Sequence, residues 1–399
     1  MHCSNNGLAN SSGASVLVIG AGVVGLTSAL CLARRGFRVS ILAHQFAPRV
    51  TSVVAGALWE WPPAVCGRHQ DAVSLERAKN WSEISYQMLA DLASDSATGV
   101  FLRPVTFYFK RPIAEDPQQT KKVEEYKGKV KRFRHDPALM LEHGINMQLG
   151  YRDAYTHLAP MVDTDVYLDW LSSEVQRAGC RVTEGKVVGS LRSQEQMLLR
   201  EYEAEAIVNC TGLGARELTG ELVTPLRGAL IRVHNDGVDF PRITQAHCVS
   251  QDGSMKDRGF IFIVPRGHNM LVLGGLAEPL EWEVDIGIEN YEPVRQMYRR
   301  CVEFLPVLRG AVVDAAQPVR VGLRPFRPEG VRLEHQPGTR IVHNYGHGGS
   351  GVTYSWGCGL EVVKTVEQIL SITTHQEGRD GPEAYERCGF HSKERTGAR

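Results

Sequence analysis

The chain has 399 residues, with 45 Lys and Arg against 45 Asp and Glu, 43% hydrophobic and 23% charged. This composition excludes disorder over the bulk of the chain, and zero net charge excludes a long-range pull toward nucleic acid or an anionic membrane. The length predicts two or three domains. In chain order, residues 1–15 are polar and lack the basic start and apolar middle of a signal peptide, so a cytoplasmic location is expected. Ser15-Val16-Leu17-Val18-Ile19 reads as a strand buried on both faces. From Val23 to Arg35 the pattern turns helical, Gly36 is its stop, and Phe37 to Ala43 reads as a second buried strand that completes a βαβ unit. The apolar stretch 14–33 is no membrane span, because glycines interrupt it and Arg34-Arg35 end it.

Residues 61–155 change character and read as a different domain or an insertion. They hold a helix from Leu75 to Ala93, a strand at Val105 to Phe109 and a basic stretch from Lys121 to Arg134. The run Lys127 to Arg134 is either a phosphate site or, as is usual for a charge run, a solvated face; no nucleic-acid role is expected. A helix follows at Val166 to Ala178, then a buried strand at Ala206 to Cys210 running into Thr211-Gly212-Leu213-Gly214, which belongs with the first sheet. From Gly228 to Val319 the pattern suggests a half-exposed antiparallel sheet, with turns at Asp252-Gly253 and Arg266-Gly267. Tyr345 to Leu370 is glycine-rich and then helical, and residues 376–399 read as a frayed tail without a peroxisomal ending. Nine scattered cysteines with no CxxC pair fit reduced thiols better than a disulfide framework or a zinc site.

The glycines carry the chemistry. Gly20-Ala21-Gly22-Val23-Val24-Gly25 sits between the first strand and the first helix. There the first glycine permits the tight turn, the second lets backbone approach a pyrophosphate, and the third lets the helix pack on the strand. The helix N-terminus supplies free N–H groups and a positive dipole end for the phosphates. This turn does not choose between NAD and FAD. The ribose-binding carboxylate expected about 20 residues on is missing from Leu42-Ala43-His44-Gln45. Two readings stay open: His44 or Gln45 hydrogen-bonds the ribose, or His44 is a surface residue. His343 and His347 stand four apart, but the glycines between and after them argue against the helix a metal clamp needs, so no metal is expected.

Four further blocks follow in order: Val54-Ala55-Gly56-Ala57-Leu58-Trp59; Ile207 to Gly212; Gly322-Leu323-Arg324-Pro325-Phe326-Arg327-Pro328; and His343 through Gly346, His347, Gly348, Gly349, Ser350, Gly351 and Val352 to Thr353. With the first turn they resemble the D-amino-acid oxidase family, flavoenzymes of the glutathione-reductase-like superfamily, over residues 16 to about 370. The resemblance implies an α/β fold in which a Rossmann-like FAD-binding domain (1–60, 156–226 and 320–399) is interleaved with a substrate domain built on a mainly antiparallel β-sheet (61–155 and 227–319). It implies that Gly20, Ala21, Gly22, Val23, Val24, Gly25, Thr51, Ser52, Gly56, Ala57, Leu58, Cys210, Thr211 and Gly212 meet the cofactor. Lys186-Val187 would hold the adenine edge by backbone, and Arg227-Gly228 resembles a turn after the third nucleotide-domain strand. Gly346, Gly348, Gly349 and Gly351, with Ser350, Val352 and Thr353, would bring backbone N–H groups to the isoalloxazine. A helix from about Thr353 would aim its N-terminus at the ring's pyrimidine edge.

For the reaction centre the resemblance implies Arg324 and Gly349. Arg324 would grip a substrate carboxylate with its planar fork, while Arg327 suits a structural salt bridge. The implied substrate is a D-amino acid or a related amine-bearing acid. Hydride passes from Cα to flavin N5, the imino acid hydrolyses to a 2-oxo acid and ammonia, and O₂ reoxidises the flavin to give hydrogen peroxide. Three departures stand out. Phe262 and Arg258 replace tyrosines, and Phe262 cannot hydrogen-bond a carboxylate. The segment 251–258 is charged, so Lys256 or Arg258 reaches the pocket for an acidic side chain, or the segment is solvated. Glu60 replaces an amide and would hold an ammonium or a basic side chain, which conflicts with an acidic substrate. Two alternatives remain, an acceptor other than O₂ and a flavin-binding protein that has lost oxidase activity. A homo-oligomer is compatible with the sequence, which does not set the oligomeric state.

Overall fold

The structure, a computed structural model, describes residues 13–62, 71–249 and 260–370. Arg258, Lys256, the segment 251–258 and the tail 376–399 therefore lie outside the described residues. Ser15–Ile19 is buried at every position. It pairs in parallel with Arg38–Ala43 on one side and Ala206–Asn209 on the other, as expected for an apolar strand with helices over both faces. The sheet grows from this centre to six strands in the order Arg332–His335, Ile341–Tyr345, Ala206–Asn209, Ser15–Ile19, Arg38–Ala43, Arg181–Glu184. Helices Val23–Arg35 and Gly351–Ile369 pack on each other, and Ala72–Leu92 lies against the second of them. Ala72–Leu92 starts where Asp71 accepts a hydrogen bond from the Ser74 N–H at 2.7 Å, a capping box.

The second sheet runs Glu278–Pro279, Thr224–His234, Met270–Gly274, Ile261–Arg266, Ala246–Val249, Val100–Phe109, Asp153–Val162, Arg134–His135, with Val319–Phe326 paired to Thr224–His234. Apart from one parallel pair, Val100–Phe109 with Ala246–Val249, its neighbours are antiparallel. Three expectations change here. Asp153–Val162 pairs along its whole length with Val100–Phe109, so residues 156–162 belong to this sheet and not to the first. Residues 224–226 and 320–326 move with them, since Val319–Phe326 and Thr224–His234 form one continuous ladder. Arg227 consequently lies inside a strand and not in a turn. Its guanidinium is buried on the Glu278 carboxylate at 2.9 and 2.6 Å and on the Tyr291 hydroxyl at 2.9 Å.

The sheet is also not half-exposed. The helix Glu292–Phe304 covers one face with Val294, Met297, Cys301 and Phe304, and a cluster around Trp59, Tyr86, Phe107 and Tyr155 covers the other. The basic run 127–134 is a solvated face whose charges go to local acids: Lys127 to Glu124, Lys129 to Glu83, Arg134 to Glu142. Among the described residues no helix is long and apolar enough to cross a membrane.

Candidate active site

A cavity of about 920 Å³ opens between the two sheets. One end is the first turn. Gly20 has φ +114°, and a Cβ there would fall inside 3.0 Å of the Cys210 carbonyl. Gly20, Ala21, Gly22, Val23 and Val24 line the cavity; Gly25 does not. Gly25 faces back, where a Cβ would collide with the Gly20 carbonyl, so its bareness serves the close approach of helix to turn. The first helical turn carries no acid, and its Val23 N–H bonds the Ser52 hydroxyl at 3.0 Å. Thr51 and Ser52 line the same end, with His44 and Gln45 exposed at its rim and Val187 nearby. Lys186 lines it too and pairs with Glu217 at 3.8 Å. Arg49, a cation on this wall, escaped the sequence reading; a basic residue two before Thr51-Ser52 was its only signal.

The middle of the cavity is walled by Gly56, Ala57, Leu58, Cys210, Thr211, Gly212, Gly348, Gly349, Ser350, Gly351, Val352 and Thr353. Helix Gly351–Ile369 begins here, two residues before the expected start, with no acid in its first turn. Its positive end therefore opens onto the cavity. Among the described residues Asn344 Oδ1 and His347 Nε2 are buried without a hydrogen-bond partner, and both residues stand on the wall. Orphaned polar groups of this kind cost about 1–3 kcal/mol each, so the wall fits a flat ligand with polar edges such as an isoalloxazine. Two glycines depart from expectation. Gly346 is off the wall and lies against Arg327, whose Cβ would be 2.9 Å from an added Cβ. The Gly348 N–H is already used by the Pro325 carbonyl at 2.9 Å, so it is not presented to a ligand. His343 has both ring nitrogens engaged, with Asn209 at 3.3 Å and Gln336 at 2.9 Å. Among the described residues no group of three or more His, Cys, Asp or Glu could hold a metal ion.

At the far end stand Arg324, Phe262, Glu60, Leu230 and Cys248. Arg324 donates to the Leu276 carbonyl at 3.2 Å, and among the described residues no carboxylate lies within 4.0 Å of it. Its guanidinium lies directly on Gly228, where a Cβ would fall inside 3.0 Å of the guanidinium carbon and both terminal nitrogens. Arg327 differs: it is bound to Glu221 at 2.6 Å and to Glu329 at 3.7 Å. Phe262 packs on Gly56, with its ring 2.6 Å from the position an added Cβ would take. Glu60 is paired with Lys122 at 3.4 Å, so its charge is compensated without a substrate cation.

The model of the DAO family, FAD dependent oxidoreductases, matches residues 15–365. The chain belongs to this family. FAD is its cofactor, and the protein is an oxidoreductase. It is 34% identical over 364 residues to a D-amino-acid oxidase of Rubrobacter xylanophilus, covering 90% of this chain and 97% of that one. It is 34% identical over 357 residues to one of Streptomyces coelicolor, covering 88% and 95%. Among solved structures, glycine oxidase from Bacillus cereus superposes with a TM-score of 0.69 at 16% identity, covering 89% and 95%; at that identity the likeness is one of fold.

This oxidoreductase buries four histidines whose pKa burial pulls down: His247 and His343 to about 3, His157 and His347 to about 4. In the unfolded chain each takes up a proton near pH 6.5. Between that value and the folded pKa the unfolded state binds more protons, so stability is full above pH 6.5 and is lost as pH falls. Each histidine contributes up to about 1.4 kcal/mol per pH unit. The melting temperature should drop steeply from pH 6.5 to pH 5, and a flat profile across that window would contradict the neutral, buried assignment.

Proposed function

We propose that this oxidoreductase deaminates a D-amino acid, or a related amine-bearing acid, to a 2-oxo acid and ammonia, and that O₂ is reduced to hydrogen peroxide. The observation that carries this reading is the Arg324 guanidinium, which stands in the cofactor cavity with no carboxylate of the described residues within 4.0 Å. Bound FAD supplies the acceptor for the hydride leaving Cα. The protein's share is positioning. Arg324 holds the carboxylate in a bidentate grip that fixes Cα, and the apolar walls of Phe262, Leu230 and Cys248 keep that ion pair in a low dielectric. Water then hydrolyses the released imino acid. The six-stranded sheet carries the cofactor and the nine-stranded sheet the substrate. The two D-amino-acid oxidase relatives support the stereochemistry. The free, buried thiols of Cys180, Cys210, Cys248, Cys301 and Cys358 support a reducing, cytoplasmic setting.

The test is a panel of D- and L-amino acids mixed anaerobically with the yellow holoenzyme. Bleaching by D-amino acids alone, followed in air by peroxide equal to the 2-oxo acid, is the expected result. Bleaching by L-amino acids alone would overturn the stereochemistry, and bleaching without peroxide in air would assign another electron acceptor.

A further inference from the structure

Arg266 ends the strand Ile261–Arg266 and is 4% exposed. One terminal nitrogen donates to the Ala55 carbonyl at 2.7 Å and the Gly56 carbonyl at 3.0 Å. The other donates to the Thr164 hydroxyl at 2.6 Å, which in turn donates to the Val53 carbonyl at 2.6 Å. Among the described residues no carboxylate lies within 4.0 Å of this guanidinium. Burial pulls its pKa down to about 10, with Asp163 pulling it back up, so it is a cation at neutral pH. Burying a cation without a paired acid costs several kcal/mol, and its hydrogen bonds all end on oxygens of segment 53–56 or on the threonine that holds it.

Segment 55–57 is held at its far end as well. Ala57 has φ +52°, a left-handed conformation unfavourable for a non-glycine residue. Its carbonyl accepts from the Val162 N–H at 2.9 Å. Three successive carbonyls, of Ala55, Gly56 and Ala57, are thus tied to the protein. In a planar trans peptide the N–H points opposite to the C=O, so the N–H groups of Gly56, Ala57 and Leu58 turn the other way. These three residues line the cavity and Arg266 does not. Among the described residues none of the three N–H groups has a hydrogen-bond partner.

We infer that Arg266 is a positioning residue for the flavin: by gripping the Ala55 and Gly56 carbonyls from behind, it presents a row of backbone N–H donors to the cofactor. The donors and the buried cation behind them favour negative charge on the bound group, so they stabilise reduced flavin more than oxidised flavin. The inference rests on FAD and not on the substrate reading, so a holoenzyme that binds FAD but bleaches with no amino acid leaves it intact.

Arg266→Lys keeps a charge but cannot span two carbonyls and a hydroxyl with a planar fork; Arg266→Met removes both charge and fork. Three readouts apply: the apoprotein melting temperature, the FAD dissociation constant, and the midpoint potential of the bound flavin against a reference dye. Both variants are expected to weaken FAD binding at least tenfold. Arg266→Met should also lose about tenfold in its preference for reduced over oxidised flavin, a fall of about 30 mV for a two-electron couple, with a smaller fall in Arg266→Lys. Either folded variant binding FAD as tightly as the parent at an unchanged potential would overturn the inference. If Arg266→Met does not fold, Arg266→Lys decides it by the same two measurements. A lowered melting temperature with parental affinity and potential assigns Arg266 to the fold alone and also overturns it.

Discussion

Replacing Arg324 by alanine should raise the KM for an amino-acid substrate by a factor on the order of 10²–10³ while the protein stays yellow. Truncating one partner of a desolvated, hydrogen-bonded charge pair costs about 2–5 kcal/mol. The Arg324 side chain contributes nothing to the first turn or to the Gly348–Thr353 wall, so the loss should appear in substrate binding and not in FAD content. Arg324→Lys should recover little, because an ammonium cannot reproduce the bidentate fork. Gly228→Ala gives a second, independent reading of the same site. Its new methyl group would occupy the place where the guanidinium now lies, and the side chain must swing aside while strand and cofactor remain. A tenfold or larger rise in KM at parental FAD occupancy and melting temperature is expected. Steady-state kinetics with matched flavin absorbance check all three variants. A parental KM in Arg324→Ala would remove the carboxylate anchor, and with it the substrate reading.

Legibility in the sequence followed the range of the interactions involved. Ser15–Ile19, the glycine turn and the helix Val23–Arg35 were readable to the residue, because a buried strand, a tight turn and a helix start leave their marks within 20 neighbouring residues. The pairing of Asp153–Val162 with Val100–Phe109, and of Val319–Phe326 with Thr224–His234, joins segments about 50 and 90 residues apart; no local pattern announces it. The half-exposed reading of the second sheet failed for the same reason, since the helix Glu292–Phe304 that covers it is distant from most of its strands. Of the arginines that line the cavity, Arg324 is marked in the sequence by its Arg-Pro context, whereas Arg49 carries no such mark. Gly346 and Gly348 belong to a glycine-rich run that reads uniformly. Only the fold separates Gly346, which packs on Arg327 off the wall, and Gly348, which lines the wall with its N–H spent on Pro325, from Gly349 and Gly351.

Gly22 and Gly25 of the first turn should separate by mutation in a way their shared motif does not suggest. Gly25→Ala places a methyl group against the Gly20 carbonyl, with the carbonyl carbon 2.8 Å away; both are backbone, so neither can rotate aside. The helix must lift from the turn, which costs about 1–3 kcal/mol as overpacking does and moves the N–H groups that face the pyrophosphate. A colourless protein with a lowered melting temperature and FAD affinity reduced by at least about 100-fold is expected. Gly22→Ala meets only the Ser52 hydroxyl, at 3.2 Å, and its other side opens onto the cavity. The apoprotein of Gly22→Ala should therefore melt close to the parent and still bind FAD poorly, because the methyl group stands where a phosphate must come close to backbone. Apoprotein melting curves and fluorescence titration with FAD distinguish the two. Equal losses of stability would mean that Gly22 is needed by the fold itself, and parental FAD affinity in Gly22→Ala would place the pyrophosphate elsewhere.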